Sequence, residues 1–172
     1  MNRRSVVNLS AITLLGLALL PASAPAQQKT LKEQLVGTWT LVSWEQVQKD
    51  GTKQQDFGAN PKGVASFDGN GRFFVMFARS ELPKITSSDR TKVTPQEAQA
   101  INVGSIAYFG TYTVDEPNKA LFFKIESSTF PNQVGAQQKR VIMSLTADEL
   151  KYTNMTVIGG GGPIDTAFKR AK

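Results

Sequence analysis

The chain has 172 residues, 20 Lys and Arg against 14 Asp and Glu, and neither His nor Cys. Without those two residue types, Ser-His-Asp and Cys-His nucleophile systems, His- or Cys-ligated zinc, haem and iron–sulfur centres, and disulfides are all excluded. No cofactor or metal is expected. The formal charge of +6 is spread over single or paired basic residues such as Lys139-Arg140, with no basic run or aromatic-interleaved patch, which argues against nucleic-acid binding.

Residues 1–26 have the three parts of an export signal: Arg3-Arg4 as the basic segment, an apolar run from Leu9 to Leu20, and A-x-A sites at Ala22-Ser23-Ala24 and Ala24-Pro25-Ala26. The apolar run is short of the roughly 20 residues a spanning helix needs, and Pro21 ends it. Cleavage after Ala26 is favoured. It leaves 146 residues (172 less 26) with 18 basic and 14 acidic side chains, a net +4, no stable membrane anchor, and a periplasmic or secreted location. That length suits one core. Residues 27–34 read as a short extended or helical lead-in, and 35–172 as one domain.

Segments rich in Val, Ile, Phe, Thr and Tyr follow, separated by turn residues. Eight strands are predicted: Val36 to Gln46, Gly63 to Phe67, Arg72 to Arg79, Ser105 to Val114, Ala120 to Ser128, Lys139 to Leu145, Glu149 to Val157, and Ile164 to Arg170. One helix is predicted between the third and fourth, with Thr94-Pro95-Gln96-Glu97 as its capping box and Gly104 as its stop. Connections around Asp68-Gly69-Asn70-Gly71, Asp115 to Lys119 and Thr146-Ala147-Asp148 are short. They alternate strictly with long ones, so in an up-and-down meander the short links gather at one end and the long ones at the other. The predicted fold is all-β: an eight-stranded antiparallel barrel with one closed end and a decorated mouth.

Strand side chains alternate faces. With Trp39 plugging the closed end, strict alternation turns Leu41, Ser43 and Glu45 inward. Phe73, Val75, Phe77 and Arg79 share an inner face. Glu45 and Arg79 then reach the mouth together as a polar anchor for a guest, because a partly buried carboxylate needs a partner to stay ionised. Tyr108 and Tyr112 offer flat apolar area with a hydroxyl, Phe123 lines the next strand, and Phe130 opens a mouth loop. Ser43, Glu45, Phe77, Arg79, Tyr108, Tyr112, Phe123 and Phe130 are the expected ligand-binding residues. Arg170, lying over Trp39, closes the floor in a structural role.

Taken together, Gly37-Thr38-Trp39 with Leu41-Val42-Ser43-Trp44-Glu45, Phe57-Gly58-x-x-Pro61-Lys62-Gly63, Gly71 to Arg79, Tyr108-Phe109-Gly110-Thr111-Tyr112-x-Val114-Asp115, and Phe130-Pro131-Asn132-x-Val134-Gly135 resemble the bacterial lipocalin-like domain family over roughly Leu35 to Arg170. The resemblance implies a lipocalin-like barrel, with some relatives associated with secondary-metabolite pathways. Lys124 and Gln133 stand where the family pattern often has histidine and tryptophan, which favours binding over acid–base chemistry. The leading reading is an exported protein that binds a small apolar or amphipathic molecule inside the barrel, more a carrier than an enzyme. A cofactor-free isomerase, cyclase or hydratase using Glu45, Arg79 and Tyr108 is the alternative. A structural domain whose own side chains fill the barrel is the third.

Overall fold

The computed structural model describes residues 29–158 and 161–172. The export signal expected over 1–26 lies outside them. The elements in chain order are α1 (Leu31–Leu35), β1 (Gly37–Val47), β2 (Lys53–Gln54), β3 (Lys62–Phe67), β4 (Arg72–Ala78), α2 (Pro95–Gly104), β5 (Ser105–Asp115), β6 (Ala120–Ser128), a single 3-10 turn at Pro131–Gln133, β7 (Gln137–Leu145), β8 (Glu149–Asn154) and β9 (Ile164–Arg170). Every neighbouring pair is antiparallel, and β1 also pairs with β9 from Trp39↔Arg170 to Gln46↔Ile164. That last ladder closes the sheet into a barrel of eight long strands, leaving the two-residue β2 as a flap on the end of β1. The flap lies inside what the sequence shows as one long connection. Counting it, α2 falls between β4 and β5.

The closed end is built by local chemistry. A Thr30–Glu33 capping box starts α1, and the Glu116 carboxylate, from the β5–β6 turn, accepts from Leu31 N at 2.9 Å and Lys32 N at 3.1 Å. Trp39 is fully buried, and its indole N–H donates to Leu35 O at 2.8 Å. The Arg170 guanidinium lies 4.0 Å from the Trp39 ring centroid. It donates to the carbonyls of Val36 (3.0 Å), Gln34 (2.7 Å) and Ala147. Gly37 sits against it at φ 131°, where a Cβ would meet Arg170 Nη1 at 2.8 Å. The glycine of the G-x-W is therefore fixed twice, by a backbone angle that L residues avoid and by the room the guanidinium occupies.

Above this floor the lower barrel is packed with rings. Phe73 and Phe123 are 4.2 Å apart, Phe67 and Tyr112 5.3 Å, and Tyr152 and Phe168 5.5 Å between centroids. The filled-barrel reading therefore describes the lower half. Three register shifts bend the wall. In each, one exposed residue (Val42, Glu126, Met143) has no partner across the ladder, as in a β-bulge. No described helix is long and apolar enough to cross a membrane.

Candidate functional site

The bulge at Val42 decides what faces the cavity. Leu41 pairs with Phe168 and Ser43 with Ala167, so one residue of β1 is skipped and every later side chain changes face. Trp44 and Gln46, opposite buried Thr166 and Ile164, point into the barrel. Ser43 and Glu45 point out. This corrects the inward placement that strict alternation gives them. Glu45 lies on the outer wall, its Oε2 3.0 Å from Lys53 Nζ and its Oε1 accepting from Gln55 Nε2 at 3.1 Å. Lys53 also reaches Asp165 Oδ2 at 3.1 Å. The hydrogen bond from Lys53 holds the Glu45 carboxyl below its ordinary value, and the same contact raises the Lys53 ammonium. Glu45 and Arg79 do not meet, and the anchor expected from them does not form.

The long connections and the upper strands enclose a cavity of about 470 Å³, within the usual range for small-molecule sites. Trp44, Phe57, Ile106, Phe130 and Ile164 supply its apolar wall. Trp44 and Phe57 meet edge to face at 5.0 Å. Gln46, Asn102, Ser105, Gln133, Gln138 and Asn154 supply polar groups, and Asp56 and Arg79 are its charged lining residues. Arg79 Nε donates to Asp56 O at 2.8 Å, while its backbone N–H donates to Gly104 O at 2.9 Å. Arg79 thus ties the connection carrying Phe57 to the end of α2. At the other end of that helix, Glu97 accepts from Thr94 N at 2.9 Å and from Thr86 N at 2.8 Å. Those backbone N–H groups lower the Glu97 carboxyl to about 2, so α2 and the loop before it are pinned by one ionised side chain.

Of the other residues singled out from the sequence, Phe130 lines the cavity together with Arg79. Phe77 and Phe123 are buried in the aromatic core. Tyr112 is at the closed end, its hydroxyl donating to Asp68 O at 2.7 Å. This removes it from any guest in the mouth, because the β3–β4 turn that it holds is one of the short links. Tyr108 is buried in mid-barrel, where its hydroxyl accepts from Arg140 Nη2 at 3.2 Å.

That contact leads to two further interior side chains on β7. Gln138 and Arg140 are each 2% exposed and face the interior from β7. Arg140 Nη2 donates to Gln138 Oε1 at 2.7 Å, and its Cζ lies 4.1 Å from the Phe123 centroid and 5.6 Å from that of Tyr152. Its Nε and Nη1 are buried without a hydrogen-bond partner. None of the ion pairs among the described residues includes Arg140. Burial pushes the Tyr152 phenol well above its ordinary value, against the opposing hydrogen bond from Arg140, so Tyr152 offers the guanidinium a ring face and a neutral hydroxyl. The signal was present in β7: Gln138 and Arg140 share the face of apolar Ile142.

A family model for the lipocalin-like domain matches residues 36–161. The chain belongs to the lipocalin-like domain family. The lipocalin-like barrel is a fold that can enclose one small ligand. Among solved structures, a redesigned β-barrel is similar at 15% identity and a TM-score of 0.43, over 82% of this chain and 95% of the other. A de novo designed fluorescence-activating β-barrel is similar at 13% identity and 0.43, over 84% and 100%. No curated protein matches the chain.

Proposed function

We propose that this lipocalin-like protein binds a small amphipathic molecule in the mouth of the barrel. The guest's apolar body packs on Trp44, Phe57, Ile106, Phe130 and Ile164, and its polar end turns down toward Gln138 and Asn154. The observation that carries this reading is the contrast within one barrel: a lower half filled by its own rings, and an upper half that keeps a cavity of about 470 Å³ with an apolar wall and a buried polar base. A purely structural barrel has no use for polar side chains at that depth, since burying them costs stability unless each is paired. The enzyme alternative rested on Glu45 as general acid or base. On the outer wall, Glu45 is out of reach of a guest inside the barrel, and binding is the stronger reading.

The basic segment, apolar run and A-x-A sites of residues 1–26 support the further proposal that the protein does this after export, in the periplasm or outside the cell. Native mass spectrometry of the protein purified from its producing cells, followed by solvent extraction, tests the binding reading. One organic molecule per chain, released by solvent, is the expected result. A bare polypeptide mass, together with no uptake of added amphipathic probes, would contradict it.

A further inference from the structure

Among the described residues, Arg140 is the least explained charge. Of the five N–H donors of a guanidinium, those of Nη2 go to Gln138 Oε1 and the Tyr108 hydroxyl, and the Tyr152 hydroxyl is a further partner; all three are neutral acceptors. Nε and Nη1 have no acceptor although the side chain is 98% buried. A buried cation ordinarily comes with a carboxylate, because its desolvation is otherwise uncompensated. Aromatic faces offset part of that cost, but they carry no countercharge. The cavity, which reaches Gln138, does not pair Arg140 either: its charged lining residues are Asp56 and Arg79, Arg79 binds the Asp56 backbone carbonyl, and neither is in an ion pair with Arg140. Asp56, Arg79 and Arg140 together carry a formal charge of +1.

Gln138 joins the guanidinium to the cavity. Arg140 has only donors, so the Gln138 oxygen must be the atom facing it, and the amide NH₂ is what Gln138 has left to offer the cavity it lines. A cation behind that amide strengthens its N–H groups as donors.

We infer that the guest is an organic anion, and that its acidic oxygens are received at the base of the mouth by the Gln138 amide, which lines the cavity and is backed by the Arg140 guanidinium. The chemistry required is a compact, singly charged oxygen acid on an apolar body, with a carboxylate as the simplest case. This rests on the binding reading above and adds the sign of the ligand's charge.

The test uses cis-parinaric acid and its methyl ester, which share one body and differ in charge, with energy transfer from tryptophan, Trp44 being the one that lines the cavity, as the readout. The acid is expected to bind about tenfold or more tightly than the ester. Arg140→Met is expected to reduce that preference to roughly threefold or less, by taking away the charge behind the Gln138 amide. Its melting temperature should be no lower than that of the wild type, because an unpaired buried charge has been replaced by an apolar chain of similar length. Equal affinity for acid and ester in the wild type would overturn the inference and leave the binding reading standing. Survival of the acid preference in folded Arg140→Met would also overturn it. If Arg140→Met does not fold, Gln138→Leu decides, since an unchanged preference there counts against the inference and a diminished one supports it. Uptake of neither probe would contradict the cavity reading itself.

Discussion

Two guanidiniums inside one barrel have opposite surroundings. Arg170 spends its donors on Val36, Gln34 and Ala147 carbonyls and its face on Trp39, so it is a rivet. Arg170→Ala should cost roughly 2–4 kcal/mol from the charged hydrogen bonds and the cation–π contact, which for a domain of this size is about 6–12 °C in melting temperature. Thermal denaturation followed by circular dichroism checks it, with a shift under about 2 °C counting against the rivet. Gly37→Ala should destabilise through the same contact, at a position where φ is already 131°. Arg140, with neutral partners only, is held at a cost. Glu45 gives the complementary prediction. Because it points outward, Glu45→Gln should change the affinity for a probe in the mouth by less than about twofold, surface ion pairs being weak. A tenfold loss, measured by the same energy transfer, would return Glu45 to the inside.

At the scale of elements, the strands and α2 were legible because each has a local cause. Alternating apolar residues mark the strands, Thr94-Pro95-Gln96-Glu97 starts the helix, and Asp68-Gly69-Asn70-Gly71 makes a tight turn. What local pattern did not show was the bulge at Val42. Period-two reasoning carries Trp39 and Leu41 on to Ser43 and Glu45, whereas the strand slips by one and delivers Trp44 and Gln46. Trp44 itself was the clue, a large apolar ring that strict alternation would leave on the outer wall. The two-residue β2 was equally hidden, since Lys53 and Gln54 carry no strand pattern and are placed by pairing with the end of β1. In β7, Gln138 and Arg140 could be read as inward from Ile142, but their polarity masks the alternation that marks a strand. Their significance appears only when the tertiary neighbours Tyr108, Phe123 and Tyr152 are in place.

The helix over the mouth supplies a prediction in pH. Glu97 has a folded value of about 2, set first by the Thr94 backbone N–H, against an ordinary 4.5. A depressed carboxyl contributes stability that is fully present above its unfolded value and is lost as pH falls through the folded one. The pin on α2 should therefore hold above about pH 4.5 and be released between that and about pH 2. Hydrogen exchange of the Thr86 and Thr94 amides should accelerate over this window beyond the intrinsic effect of pH. Glu97→Gln should remove that extra acceleration. Unchanged protection of both amides in the acid range would show that the loop is held by something other than Glu97.

Across the whole molecule, the barrel divides its labour along its axis. The short links, α1, Trp39 and Arg170 seal one end, a ring-filled core carries the stability, and the long links surround a cavity at the other. The two tryptophans report the two ends separately, Trp39 from the floor and Trp44 from the mouth. An NMR titration of the ¹⁵N-labelled protein with cis-parinaric acid reads both at once. The account predicts that the Trp44 indole N–H and the backbone amides of Gln138 and Asn154 shift together and saturate, while the Trp39 indole and the outer-wall amides of Glu45 and Lys53 stay in place. Shifts confined to the outer wall, or none at all, would contradict it.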